Sequence, residues 1–125
     1  MIFIVDDDDS VRKSLSRLMR SAGLVSREFS SAEEFLAEVN GGESGCVLLD
    51  ITMPRLTGLQ LQVELKNRNI ELGVIAISAR DDADTRHMAL QLGARFFFRK
   101  PVDDQALLDT IQWVLTSASE PRKPD

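Results

Sequence analysis

The sequence predicts one α/β domain in which a parallel sheet of five strands lies between two layers of helices. Short, continuous apolar runs recur along the chain, as is typical of strands that are buried on both faces of a parallel sheet. Segments with apolar residues at helical spacing alternate with these runs, which is the pattern of repeated β-α units. At 125 residues, the chain is long enough to form one such domain with a substantial core.

The chain begins with a strand and a helix. Ile2–Val5 is a continuous apolar run that stops at four consecutive aspartates. Apolar residues then recur at helical spacing as far as Gly23, a residue type that favours the end of a helix. Asp8 or Asp9 can cap this helix, because a carboxylate accepts hydrogen bonds from the free N–H groups and suits the positive end of the helix dipole.

Two further strands flank the second predicted helix. A short strand is expected over 25–29, and Ser31 with Glu34 forms a capping-box pattern ahead of the helix. Three glycines lead into the apolar run 46–49, which ends at Asp50. This run predicts a central strand that is buried on both faces.

The second half of the chain adds three helices and two strands. The segment 59–65 alternates apolar and polar residues, but it consists of good helix formers and must cross back over a parallel sheet, so a helix is expected. Strands are predicted over 74–78 and 95–99, with a helix over about 82–92 between them, and Asp103 caps the last helix. The residues expected to face inward on the last two helices are Met88, Ala89, Leu92, Leu107, Ile111, Val114 and Ala118.

The overall composition excludes some classes of partner. A net charge of −5 argues against direct binding of nucleic acid, because phosphate backbones require a basic surface. No apolar run approaches the length that spans a membrane. Cys46 is the single cysteine and lies in a predicted core strand, which favours a reducing compartment and therefore the cytoplasm.

Chemically useful side chains follow four of the five predicted strands. Asp6 and Asp7 follow the first strand and Asp50 ends the third, whereas Ser78 ends the fourth and Lys100 follows the fifth. Open α/β sheets bind ligands at this carboxyl edge. If the first and third strands are neighbours, three carboxylates converge, and they require either a cation or a raised pKa. An all-oxygen cluster suits Mg²⁺, and the hydroxyl and the ammonium group could help to hold a tetrahedral dianion there.

In their order and spacing, these residues resemble the receiver domains of two-component response regulators, and among them the FixJ-like group. The motifs that carry the resemblance are Val5-Asp6-Asp7, Asp50-Ile51-Thr52-Met53-Pro54 with Gly58, Ser78-Ala79, and Lys100-Pro101. The resemblance implies a flavodoxin-like sheet of strand order 2-1-3-4-5 with five helices. It covers residues 2 to about 118, so we expect a receiver domain over 1–118 and the start of a linker over 119–125.

The resemblance also implies a role for each site residue. Asp50 would accept a phosphoryl group from a histidine kinase, and Ser78 and Lys100 would contact the phosphoryl oxygens. The Lys100–Pro101 peptide bond is expected to be cis. The chain would then be a signalling switch that catalyses only its own phosphorylation and dephosphorylation, rather than an enzyme that acts on other substrates.

The implied cofactor is Mg²⁺. By resemblance, Asp7 and Asp50 bind the ion directly, and the backbone carbonyl of Thr52 is the third protein ligand. Asp6 would hold a metal-bound water or help to place the metal. Arg80, close to the mouth of the site, departs from the usual pattern and could alter the lifetime of the phosphoryl group.

The resemblance further implies an output through the fourth helix, the fifth strand and the fifth helix. Phe97 occupies the position of the aromatic switch residue and is expected to swing from the surface into a gap that Ser78 vacates. Phe96 and Phe98 would lie on the opposite side of the strand. The implied partners are a cognate histidine kinase and a second copy of the chain after phosphorylation, and the implied output is transcription through a C-terminal DNA-binding domain beyond this chain.

Three alternatives remain open from the sequence. A small Mg²⁺-dependent phosphohydrolase would use Asp6 as its nucleophile together with Asp8, but the glycine and threonine expected after such a pair are absent. A nucleotide-binding module would need a glycine-rich loop after the first strand, and none follows it. A degenerate receiver could act as a scaffold without phosphorylation. The position of the phosphoryl group, on Asp50 or on Asp6, separates a receiver from a hydrolase.

Overall fold

A computed structural model describes residues 1–53, 55–79 and 83–119, the last three of them without their side chains. Pro54, Arg80, Asp82 and most of the expected linker, 120–125, lie outside the described residues. The strands are β1 (Ile2–Val5), β2 (Ser26–Phe29), β3 (Cys46–Asp50), β4 (Gly73–Ser78) and β5 (Ala94–Arg99). The helices are α1 (Asp9–Ser21), α2 (Ala32–Glu38), α3 (Gly58–Asn67), α4 (Ala83–Gln91) and α5 (Asp104–Ser119).

The five strands form one parallel sheet of order β2-β1-β3-β4-β5, which confirms the predicted fold class. The chain moves from β1 outward to β2, returns past β1 to β3, and continues outward to β5. The direction of travel therefore reverses between β1 and β3. In open α/β sheets, the crevice beside such a reversal is where ligands bind.

The core forms two layers, one on each face of the sheet. Alternate residues of a strand point to opposite faces, so Phe3 and Val5 join one layer whereas Ile2 and Ile4 join the other. The first layer includes buried residues of α2, α3 and α4, and the second includes buried residues of α1 and α5. Strands that are covered on both faces in this way explain the continuous apolar runs of the sequence.

The ambiguous segment 59–65 is helical, as predicted, and belongs to α3. Thr57 caps the helix: its side chain accepts a hydrogen bond from the N–H of Gln60, and the Gln60 side chain accepts one from the N–H of Thr57. Leu61 and Leu65 are buried on the same side of the helix. The reciprocal cap and this i, i+4 pair outweigh the strand-like alternation.

The caps predicted for α1 and α2 are confirmed, but the Glu34 side chain of the capping-box pattern accepts a hydrogen bond from the N–H of Ser30 and not from that of Ser31. Part of the predicted inward face of α4 is wrong. Asp8 caps α1 and Ser31 caps α2, each through its side chain. Met88 was expected to face inward, but 51% of it is exposed, whereas the neighbouring Ala89 is fully buried. Successive residues on a helix point about 100° apart, so a helix that turns Ala89 towards the sheet turns Met88 away from it.

The last helix matches its prediction over the described side chains. Leu107, Ile111 and Val114 are fully buried, and the side chain of Ala118 lies outside the described set. The backbone of α5 extends to Ser119, the first residue assigned to the expected linker. No helix within the described part of the chain combines the length and the apolar character needed to cross a membrane.

Candidate functional site

The first carboxylate of the site comes from the end of β1. Asp6 is 2% exposed, and its two oxygens have different partners. Oδ1 accepts a hydrogen bond from the N–H of Asp8 at 2.9 Å, and Oδ2 accepts one from Nζ of Lys100 at 3.1 Å. The Asp6 side chain is thus held between the start of α1 and the residue that follows β5.

The second carboxylate ends β3. Asp50 is 4% exposed, and its Oδ1 accepts a hydrogen bond from the N–H of Thr52 at 3.1 Å. The start of α3 packs closely behind it: a Cβ atom on Gly58 would lie 2.5 Å from the carbonyl oxygen of Asp50 and 2.7 Å from Cα of Ile51. This close approach explains why a glycine follows the strand at this spacing.

Asp7 completes an acidic cluster with Asp6 and Asp50. One oxygen from each carboxylate lies within 4.8 Å of the others, which confirms that the three residues converge. Asp6 and Asp50 are buried, whereas Asp7 is exposed, so the cluster is accessible to solvent on the Asp7 side. The pairing of β1 with β3 brings these residues together.

Lys100 provides the positive charge of the site. Its Nζ lies 3.1 Å from Oδ2 of Asp6 and 3.6 Å from Oδ1 of Asp50. Its backbone N–H donates to the carbonyl of Ser78 at 2.8 Å, which ties the end of β5 to the end of β4. The peptide bond to Pro101 is cis, as expected.

The pKa values of Asp50 and Lys100 reflect this crowding. The pKa of Asp50 is raised to about 6, chiefly by burial and then by the charge of Asp6, whereas Lys100 and the Thr52 N–H act in the opposite direction. Burial acts to lower the pKa of Lys100, but its hydrogen bond to Asp6 and the charges of Asp50 and Asp6 raise it overall. Asp50 is therefore mostly ionised at neutral pH, beside a protonated lysine.

Ser78 lies at the end of β4 and is fully buried. Its Oγ is 3.2 Å from Oγ1 of Thr52, and either hydroxyl can be the donor. The sequence implied a role for Thr52 only through its backbone carbonyl, and this side-chain contact was not predicted. The signal for it is weak, namely a second hydroxyl residue two positions after the strand-ending aspartate.

Arg12 is a second residue of the site that was not predicted from the sequence. Its guanidinium donates from Nη1 to the backbone carbonyl of Asp6 at 2.7 Å and forms ion pairs with Asp9 and Glu28. The side chain is 13% exposed. Arg12 thereby links α1 and β2 to the backbone of Asp6. In the sequence, this role is indicated only by the position of Arg12, one turn into a helix that an aspartate caps.

Phe97 differs from its expected position at the surface. It is 8% exposed and packs in the core layer of α2, α3 and α4, where it pairs across the sheet with Ala76. The small side chain of Ala76 leaves room for the ring, and the guanidinium of Arg86 lies 5.4 Å from the ring centroid. Phe96 and Phe98 do share the other side of β5, with ring centroids 4.9 Å apart.

The geometry of Asp8 bears on the hydrolase alternative. Its Oδ1 accepts hydrogen bonds from the N–H and hydroxyl of Ser10 and from the N–H of Val11. The Ser10 hydroxyl bond and these backbone bonds lower the pKa of Asp8. The carboxylate thus serves as the cap of α1, whereas a hydrolase would require it in the site as a catalytic group.

Comparison with known proteins shows a match along most of the chain. The family model for the response regulator receiver domain matches residues 2–112. Response regulator protein TodT of Pseudomonas putida is 40% identical over 122 residues, which cover 98% of this chain and 54% of TodT. Transcriptional regulatory protein FixJ of Azorhizobium caulinodans is 36% identical over 125 residues, which cover 99% of this chain and 59% of FixJ. The chain thus spans somewhat more than half the length of these curated relatives.

Solved structures give the same result. The structure of response regulator StyR is 38% identical and has a TM-score of 0.87, covering 93% of this chain and 59% of that chain. The crystal structure of FixJ-N is 30% identical and has a TM-score of 0.86, covering 98% of this chain and 96% of that chain. The resemblance inferred from the sequence is confirmed, and this chain belongs to the response regulator receiver domain family.

Proposed function

We propose that Asp50 accepts a phosphoryl group from a phosphohistidine of a histidine kinase. The observation that carries this proposal is the buried carboxylate of Asp50, with two further carboxylates and the ammonium of Lys100 around it. In the transfer, the phosphorus–nitrogen bond of the phosphohistidine breaks while a bond from a carboxylate oxygen of Asp50 to phosphorus forms. The imidazole nitrogen keeps the bonding electron pair and takes up a proton, and Asp50 becomes an acyl phosphate.

The residues of the acidic cluster fit Mg²⁺, because all three offer carboxylate oxygens close together and one side is open to water. Asp7, Asp50 and the backbone carbonyl of Thr52 would bind the ion, and Asp6 would help to place it. When bound, Mg²⁺ would neutralise charge on the phosphoryl oxygens.

Lys100 and Ser78 would hold the transferred group. The Lys100 ammonium already lies 3.6 Å from Oδ1 of Asp50 and would interact with a phosphoryl oxygen as a point charge. Ser78 contributes a hydroxyl donor from the neighbouring strand. The backbone contact between the two residues keeps Lys100 beside Ser78, so the ammonium would stabilise developing negative charge from near its present position, whereas the Ser78 hydroxyl would have to move towards the phosphoryl oxygen.

An apolar groove beside the site is suited to the kinase. A cavity of about 430 Å³ lies between α1 and the start of α5, and Lys100 is among the residues that line it. We propose that a helix of the kinase docks here, because a phosphohistidine on that helix would then face Asp50. Ser14→Tyr, at the exposed rim, should slow transfer from a histidine kinase and leave phosphorylation by acetyl phosphate unchanged.

We place this phosphoryl transfer in the cytoplasm, since the single buried cysteine suits a reducing compartment.

The output that we propose is homodimerisation through α4, β5 and α5, followed by control of transcription. Among the described residues, these three elements expose four large apolar side chains, those of Met88, Leu90, Phe96 and Trp113. TodT and FixJ are named as a response regulator and a transcriptional regulator, and both are longer than this chain, which supports an effector domain beyond it. Phe97 already lies inward, so we propose that phosphorylation holds it there rather than drawing it from the surface.

Intact mass spectrometry tests the phosphoacceptor directly. Incubation with acetyl phosphate and Mg²⁺ should add one phosphoryl group to the wild type and none to Asp50→Asn. Asp8→Asn is the matched control, because asparagine also caps helices and Asp8 is exposed, so this variant should be phosphorylated normally. Equal phosphorylation of Asp50→Asn would contradict the assignment.

Sedimentation tests the dimer. Beryllofluoride, a stable mimic of the phosphoryl group, should convert the wild type from monomer to dimer. Phe96→Ser should prevent this, whereas Val25→Ser should not, because Val25 is also exposed but lies beside β2 at the other end of the sheet. A wild type that stays monomeric with beryllofluoride at high concentration would exclude the proposed dimer.

A further inference from the structure

Thr52 connects the proposed phosphoacceptor to the neighbouring strand through two separate groups. Its backbone N–H donates to Oδ1 of Asp50 at 3.1 Å, and its Oγ1 lies 3.2 Å from Oγ of Ser78. The two residues differ in their surroundings, because Ser78 is fully buried whereas Thr52 is exposed. Solvent therefore reaches the residue Thr52, whereas it does not reach Ser78.

This asymmetry decides which conformation the hydroxyl contact stabilises. If Ser78 moves to donate to a phosphoryl oxygen on Asp50, the Thr52 backbone stays in place, because its amide is bonded to the Asp50 carboxylate. The contact between the hydroxyls must then break. Thr52 is exposed, so its hydroxyl can bond to water in place of Ser78 at little cost. The buried Ser78 hydroxyl loses the hydrogen bond to Thr52 that stabilises its present conformation.

We propose that the Thr52 hydroxyl is a latch that holds Ser78 away from the phosphoryl position and so limits how tightly the site takes up a phosphoryl group. Thr52 is then a positioning residue that acts through Ser78, in addition to any role of its backbone carbonyl. The inference rests on the proposed phosphoacceptor function and adds a determinant of its conformational equilibrium.

Two substitutions separate the hydroxyl from the rest of the side chain. Thr52→Val removes the hydroxyl and keeps the branched shape, and the exposed position tolerates the added methyl group. Thr52→Ser keeps the hydroxyl and loses only a methyl group. Thr52→Ala is a second variant without the hydroxyl, so that the comparison does not depend on the folding of one protein. All three keep the backbone carbonyl and the amide.

The experiment is a titration of each protein with beryllofluoride in saturating Mg²⁺, followed by calorimetry or by ¹⁹F NMR. Thr52→Val and Thr52→Ala should bind beryllofluoride about fivefold more tightly than the wild type, which is the usual worth of one neutral hydrogen bond. Thr52→Ser should bind like the wild type. The affinity of each protein for Mg²⁺ alone is measured in parallel, so that a change in metal binding is separated from a change in beryllofluoride binding.

The outcomes separate the latch from the function on which it rests. If the wild type binds beryllofluoride and the variants without the hydroxyl bind it equally or more weakly, the latch is wrong and the proposed function stands. If Thr52→Ser also binds more tightly, the methyl group and not the hydroxyl is responsible, and the latch is again wrong. If the wild type binds no beryllofluoride at all, the phosphoacceptor function fails and the latch fails with it.

Discussion

Replacement of Asp50 by asparagine should stabilise this protein in metal-free buffer at neutral pH. The carboxylate is 4% exposed and lies within 4.8 Å of the other carboxylates of the cluster, and the ammonium of Lys100 neutralises only part of that charge. The amide has nearly the shape of a protonated carboxyl group. Asp50→Asn therefore removes the repulsion and the cost of burying a charge while it keeps the packing.

The size of the effect follows from the pKa of Asp50, which the fold raises from 3.8 to about 6. A difference of roughly 2 in pKa corresponds to about 3 kcal/mol of unfolding free energy. Below pH 3.8 the Asp50 carboxyl is protonated in both the folded and the unfolded state, and it does not lower the free energy of unfolding. As pH rises from 3.8 through about 6, the unfolded state ionises first, so the free energy of unfolding of the wild type falls. The advantage of Asp50→Asn should thus be near zero at pH 4 and complete at pH 7.

Urea unfolding of the wild type and Asp50→Asn, in EDTA from pH 4 to pH 8, measures this difference. Asp8→Asn is a control of opposite sign. Hydrogen bonds in the folded state lower the pKa of Asp8, so its charge stabilises the folded state above the unfolded pKa of 3.8. This contribution to the free energy of unfolding is lost as pH falls, and Asp8→Asn should lack it. Mg²⁺ should reduce the advantage by stabilising the wild type. An Asp50→Asn advantage that does not grow between pH 4 and pH 7 would refute the argument.

Three further predictions concern residues around the site and in the core. Asp7→Asn should weaken Mg²⁺ binding about a hundredfold, because loss of a residue that only supports a metal ligand already costs up to that much in affinity. The same variant should raise the melting temperature in EDTA. Calorimetry measures the Mg²⁺ affinity, and thermal unfolding measures the melting temperature. Gly58→Ala should cost about 1–3 kcal/mol in urea unfolding, because the new Cβ would overlap the Asp50 carbonyl, and an unchanged midpoint would contradict this. Gln62→Ala should cost about 2 kcal/mol or more, because Gln62 is buried and its Nε2 donates to the carbonyl of Ala89 near the end of α4; a loss below half that value would show that the bond contributes little.

Much of the local structure of this protein is determined by sequence over short distances. The caps at Asp8, Ser31 and Asp103 were predictable because each side chain bonds to an N–H only two or three residues away. The strands were predictable because burial on both faces requires uninterrupted apolar residues. That Asp6, Asp50 and Lys100 lie at one edge also follows from the sequence, since parallel strands have their carboxyl ends on the same side of the sheet.

Only the tertiary structure decided which of these groups touch. The ion pair between Lys100 and Asp6 joins residues 94 positions apart, and the contact of Thr52 with Ser78 joins residues 26 apart. The inward position of Phe97 depends on the small Ala76 of the neighbouring strand. In the same way, the rotation of α4 that buries Ala89 exposes Met88. Such contacts depend on how helices and strands pack in three dimensions, whereas spacing along the chain reports only the faces that each element offers.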